Sequence, residues 1–118
     1  QLTPEQEESK AKEITDYFRI CFAHPAVEAI ILWGFWEGAN WIPSSSLYKR
    51  DWSPTPALEA YRNLVFNEWW TKESGTAGKK GLLKMPAFYG KYKVTVNGIS
   101  KEVDLTKQEG RVVVNFRK

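Results

Sequence analysis

Nine consecutive residues concentrate the side chains most able to do chemistry: Trp33, Gly34, Phe35, Trp36, Glu37, Gly38, Ala39, Asn40 and Trp41. Trp33 and Trp41 offer flat apolar faces, and the C–H faces of pyranose rings are the ligands that fit them. Glu37 and Asn40 add a carboxylate and an amide that can hydrogen-bond hydroxyl groups. Gly34 and Gly38 let the backbone turn sharply between them. The chain has six tryptophans, all between Trp33 and Trp70. A core rarely needs so many indoles so close together, because each is large and its N–H must find a partner.

Other chemistries are poorly supplied. His24 is the single histidine, so neither a Ser-His-Asp triad nor a zinc site with several His ligands can be assembled, and before Pro25 it reads as a loop residue. Cys21 is the single cysteine; it cannot form an intrachain disulfide, and its place on an apolar helix face reads as buried filler. Ser44, Ser45 and Ser46 lack the strand-turn-helix context of a nucleophile elbow. No catalytic residue, metal ligand or cofactor is therefore assigned. With 42% hydrophobic and 26% charged residues the composition is that of a folded chain. No run reaches the roughly 20 apolar residues of a membrane span, so no membrane partner is expected. Lys79, Lys80, Lys84, Lys91, Lys93 and Lys101 read as a solvated face rather than a nucleic-acid surface, because no recognisable module with interleaved exposed aromatics accompanies them.

Several elements must position the tryptophan segment. Thr3 can cap a helix, Pro4 suits its first position, and Gln6 completes the capping-box spacing. Ala11, Ile14, Phe18, Cys21 and Phe22 form its buried stripe, and Pro25 ends it. Residues 29–33 are continuously apolar, the pattern of a parallel strand covered on both sides. A long loop follows, and then a second helix from Thr55 or Pro56 to about Trp70. Leu58, Tyr61, Leu64 and Val65 lie on its inner face. Helix, buried strand, long loop and helix is the order of an α/β barrel or open parallel sheet, whose ligands bind at the C-terminal ends of the strands.

The character of the chain then changes. Residues 1–72 carry a net charge of −3 and residues 73–118 a net charge of +6. The small, polar, Gly-rich stretch 74–81 reads as a linker. Short strands are expected at 82–88, 90–96, 99–105 and 111–116, with Asn97-Gly98 as a hairpin turn and Gly110 as another. The expected organisation is thus an α/β segment at 1–73, the linker, and a small antiparallel, sandwich-like all-β module at 82–118. Tyr89 and Tyr92 could serve that module as sugar platforms, although core packing explains Tyr92 better. Trp69 and Trp70 are expected to cover the junction with it.

The segment from Trp33 to Trp41 resembles the eighth strand and following loop of glycoside hydrolase family 10 xylanases, whose pattern is Trp-Gly-x-x-Asp-x-x-Ser-Trp. Trp33, Gly34 and Trp41 match, Glu37 stands for the Asp, and Asn40 for the Ser. Pro54-Thr55-Pro56-Ala57 and the helix around Tyr61 are similar to the family's Pro-x-Pro-Ala ending. Phe22-Ala23-His24-Pro25-Ala26-Val27 is similar to the approach seen in a plant and bacterial branch. That branch also carries a β tail with Phe-x-Gly-x-Tyr-x-Val, here Phe88 to Val94. The resemblance implies terminal βα units of a (β/α)8 barrel, acting on xylan or xylo-oligosaccharide in a retaining β-1,4-xylanase. Trp33 and Trp41 would flank the sugar next to the cleaved bond. Both catalytic glutamates would precede residue 1, so the remainder of the catalytic barrel is an implied partner and the chain alone is expected to be inactive. Glu37 has no evident partner at the roughly 5 Å separation that retaining hydrolysis requires. Secretion is implied by the same resemblance. No signal peptide is visible, and a start within a helix cap, without Met, reads as something other than the native start. The competing expectation is a self-sufficient carbohydrate-binding or interaction module.

Overall fold

The computed structural model describes residues 1–117; Lys118 lies outside the described residues. The chain divides into two units, Gln1–Trp69 and Trp70–Lys118.

In the first unit, helix α1 spans Pro4–Ala23. Its start follows the sequence signals: the Thr3 hydroxyl accepts from the Gln6 amide and the Gln6 side chain accepts from the Thr3 amide, satisfying two otherwise orphaned donors. His24 is the C-cap in extended conformation, and its Nδ1 accepts from Ala26 N at 3.2 Å. Helix α2 spans Pro56–Asn63 and is capped by Thr55, whose buried hydroxyl donates to Leu47 O at 2.8 Å. The anticipated run to Trp70 stops short. After Asn63 the backbone widens into one π turn, Leu64–Glu68, closed by Trp69 N donating to Leu64 O. The π turn holds Val65 and Phe66, a β-branched and an aromatic residue that lose side-chain freedom against a preceding turn.

The two helices close on a small core. Leu47, Ala57 and Leu58 are buried, with Ala11, Ile14, Tyr48 and Tyr61 packed around them. Phe18, also buried, meets Tyr61 edge to face at 5.5 Å, and Leu64 is buried too. Phe22 stacks on Trp69 at 4.0 Å between ring centroids. Trp69 therefore has its partner within the first unit, on α1, where the sequence suggested a junction cover.

The expected strand at 29–33 is not formed. Residues 27–32 have no assigned secondary structure and, among the described residues, pair with no ladder. Ile31 is 89% exposed and Trp33 92%. A parallel strand acquires its ladder only from neighbours, and short local turns cannot supply them. Together with Phe18, Phe22, Tyr61, Val65 and Trp69, this segment lines an open, largely apolar groove.

In the second unit, β1 (Gly90–Val96) pairs antiparallel with β2 (Ile99–Leu105), Tyr92 opposite Val103 and Val94 opposite Lys101. Tyr92, Val94, Val103 and Leu105 share one half-buried face, while Lys91 and Lys93 are exposed on the other. Asn97 and Gly98 have φ of 49° and 81°, the two positive values a tight primed hairpin turn demands. Gly98→Ala should lower the hairpin's thermal midpoint by the equivalent of roughly 1 kcal/mol, followed by amide exchange in β1 and β2.

The sandwich-like module is not formed among the described residues: residues 82–88 and 111–116 join no ladder. Pro86 removes a donor from the first of these, which disfavours it as a paired strand. The second reaches β2 through side chains instead, with Lys101 Nζ donating to Asn115 O and lying 5.1 Å from the Phe116 ring centre. Residues 71–78, most of the expected linker among them, are likewise without regular structure.

Candidate functional site

The loop from Phe35 to Thr55 is held by bonds that the sequence motif alone does not announce. Tyr48 N and Leu47 N donate to Phe35 O, and Glu37 N donates to Tyr48 O, so the two arms of the loop run side by side. Thr55 N donates to Leu47 O, bringing the second arm to the start of α2. On the α1 side, Lys10 Nζ donates to Ser44 O at 3.0 Å and Ser46 O at 3.2 Å while pairing with Glu7 at 2.8 Å. The core helices thereby fix the base of the loop.

Glu37 and Asn40 are both spent on this scaffold. One carboxylate oxygen of Glu37 accepts from Arg50 N at 2.8 Å. Asn40 Nδ2 donates to Ser46 Oγ at 2.9 Å and Ser45 Oγ at 3.3 Å. The Asn40 side chain also lies against Gly34, where an added Cβ would meet Oδ1 at 3.1 Å. A bond from a carboxylate to a backbone N–H is charge-assisted and firmer than a neutral one.

The indoles fall into two sets. Trp33 and Trp41, at the two ends of the motif, are 92% and 83% exposed, so both present nearly their whole surface to solvent. Trp36 instead turns inward and stacks on Trp52, with 5.1 Å between centroids and 9° between planes. Its Nε1 donates to Arg50 O at 3.2 Å. Phe35 and Tyr48 close around Trp52 at 6.3 and 5.9 Å, and Arg62 donates to the Tyr48 hydroxyl at 3.0 Å. Gly38 is required by this packing: an added Cβ would lie 2.2 Å from the Trp36 ring.

Trp52 is the residue that sequence reasoning missed. It has a φ of 66°, a left-handed conformation that costs a bulky residue roughly 1–2 kcal/mol. Asp51 holds the turn by accepting from both the amide and the hydroxyl of Ser53. Those bonds keep the Asp51 carboxyl below the usual aspartate range. The Asp-x-Ser spacing signals a turn, but nothing in it foretells an aromatic at the strained position.

Among the described residues no cluster of three or more potential metal ligands occurs, and no helix is long and apolar enough to cross a membrane. Two of the four sequence-predicted site residues therefore point outward as apolar faces, and two build the loop between them.

Comparison with known proteins places this arrangement. Residues 1–64, which include α1, the loop and α2, match the family described as glycosyl hydrolase family 10. The chain is similar to the anti-sigma-I factor RsgI6 of Acetivibrio thermocellus, at 34% identity over 98% of the chain and 16% of that protein. It is also similar to endo-1,4-beta-xylanase 2 of Arabidopsis thaliana, at 32% identity over 80% of the chain and 8% of that protein. The chain thus spans less than a fifth of the length of either relative. By the match over residues 1–64, more than half its length, the chain belongs to glycosyl hydrolase family 10.

Proposed function

We propose that the chain is a C-terminal part of a family 10 xylan-binding domain, contributing sugar-facing tryptophans to a site whose catalytic carboxylates lie elsewhere. The observation that carries this reading is the placement of Trp33 and Trp41. Both are almost fully exposed at the ends of a loop that is otherwise tightly bonded. Two bare indoles bracketing a bonded turn present flat apolar faces to a ligand rather than to the chain's own core. Glu37 and Asn40 contribute by fixing the loop.

The remainder of the glycosidase domain is the proposed partner of the apolar groove. The unpaired segment 27–32 would gain ladder neighbours from it, completing a parallel sheet whose strand ends present the Trp33–Trp41 loop. On this reading the 1–73 segment is the terminal βα portion of a (β/α)8 barrel, the β tail is an appendage, and the intact protein works on xylan outside the cell. Amides at 29–33 should exchange freely in the isolated chain and be protected in the intact protein.

Trp33→Ala and Trp41→Ala, made separately in the intact protein, should each weaken xylo-oligosaccharide binding roughly tenfold to a hundredfold. That is the range expected when the burial of one large apolar side chain is lost. Isothermal titration with xylohexaose reads this directly. Unchanged affinity in both variants would sink the proposal.

A second reading is favoured by the similarity to RsgI6, which extends beyond residue 64 through the β tail. That relative is named as an anti-sigma factor, and on this reading the family 10 segment belongs to a regulatory protein and binds polysaccharide without cutting it. Binding by the intact protein with no release of reducing ends would select this reading.

A further inference from the structure

The geometry points to a second sugar-binding surface on Trp52, separate from Trp33 and Trp41, which takes one pyranose ring of a bound polysaccharide chain. The inference draws on family membership for the ligand class, but not on the roles proposed for Trp33 and Trp41.

Trp52 is held in place before any ligand arrives. Its amide donates to Lys49 O at 3.0 Å, and Lys49 N donates to Ser53 O at 2.9 Å, closing the turn. Asp51 braces the same turn through Ser53. One indole face is covered by Trp36, stacked at 5.1 Å, yet Trp52 remains 55% exposed. Phe35 and Tyr48 lean on the ring at tilted angles, 6.3 and 5.9 Å between centroids, and the exposed part is what these three aromatics leave uncovered. A turn needing only a left-handed residue would be served by Gly or Asn. Here the position carries a large apolar ring, pre-oriented and 55% exposed, and ligand binding would cost little further ordering.

The polar surroundings suit a hydroxylated ring. The Arg50 side chain is exposed and enters no ion pair among the described residues. The Lys49 ammonium acts on Asp51 across the same turn. Lys49 and Arg50 precede Trp52 in the same turn, and an ammonium and a guanidinium are donors suited to ring and hydroxyl oxygens while an aromatic plate covers the C–H face. Trp36, against which Trp52 rests, is five residues from Trp41, a chain span of at most roughly 18 Å. One oligosaccharide of several units can therefore reach both surfaces.

The test follows the indole N–H resonances of the full chain during titration with xylohexaose, in the wild type, Trp52→Gly and Trp52→Tyr. Glycine accepts the left-handed backbone, so the first variant removes the plate without straining the turn. Tyrosine restores an aromatic face. The expected result is a saturable shift of the Trp52 resonance, affinity reduced roughly fivefold to tenfold in Trp52→Gly, and recovery to within about twofold in Trp52→Tyr. A Trp52 resonance that does not move overturns the inference, as does unchanged affinity in Trp52→Gly or an equal loss in both variants. Movement of Trp33 and Trp41 without Trp52 would leave the proposed function standing and remove this site. Movement of Trp52 alone would do the reverse.

Discussion

Leu58→Ala should destabilise the first unit by about 2–5 kcal/mol, the range for truncating a buried leucine. Leu58 is 4% exposed and shares the core with Leu47 and Ala57, with Ile14 of α1 and Tyr61 of α2 against the cluster. The void would open between the two helices that anchor the loop. A domain of this size has only about 3–10 kcal/mol of total stability, so one such cavity removes a large share of it. Chemical denaturation followed by tryptophan fluorescence should show a lower midpoint with little change in slope. A shift below about 0.5 kcal/mol would mean that α1 and α2 do not share this core.

The second large effect is at Gly38. Gly38→Ala should cost about 1–3 kcal/mol, the range for overpacking, and should loosen the loop specifically. The new Cβ would fall 2.2 Å from the Trp36 ring, and that ring cannot step aside cheaply. It is stacked on Trp52 and donates to Arg50 O. Moving it breaks both contacts and strips the support from the aromatic group around Tyr48. The signature would be a loss of near-ultraviolet circular dichroism larger than any loss of helix signal. Retention of the full aromatic signal would show that the Trp36–Trp52 stack does not govern the loop.

The sequence carries most clearly what is decided locally. The start of α1 is set by Thr3, Pro4 and Gln6 within one turn, and its end by Pro25, so both follow from adjacent residues. The hairpin is equally local, since Asn97-Gly98 fixes the turn and the alternation around Tyr92 and Val94 fixes the face. What depends on distant partners is less legible. Residues 29–33 have the composition of a buried parallel strand, yet among the described residues no neighbour is available to pair with them. Residues 111–116 alternate poorly through Val112, Val113 and Val114, and they meet β2 through the Lys101 side chain rather than a ladder among the described residues.

The site divides along the same line. That residues 33–41 form a motif is written in residue type and spacing. The division of labour inside it is not. Glu37 and Asn40 are chemically able to bind a sugar hydroxyl, and only the folded loop shows them bound instead to Arg50 N and to Ser45 and Ser46. Trp36 and Trp41 are the same residue five positions apart, one stacked inward and one left bare, because the loop's return arm brings Trp52 to the first.

The most direct test of the central claim is a titration of the 118-residue chain with xylohexaose, following the Trp33 and Trp41 indole resonances while reducing ends are assayed. A family 10 piece that supplies sugar faces but not the catalytic pair should show saturable shifts at both indoles and no release of reducing ends. Hydrolysis by this chain alone, or resonances at both indoles that stay unmoved to the solubility limit of the sugar, would contradict it.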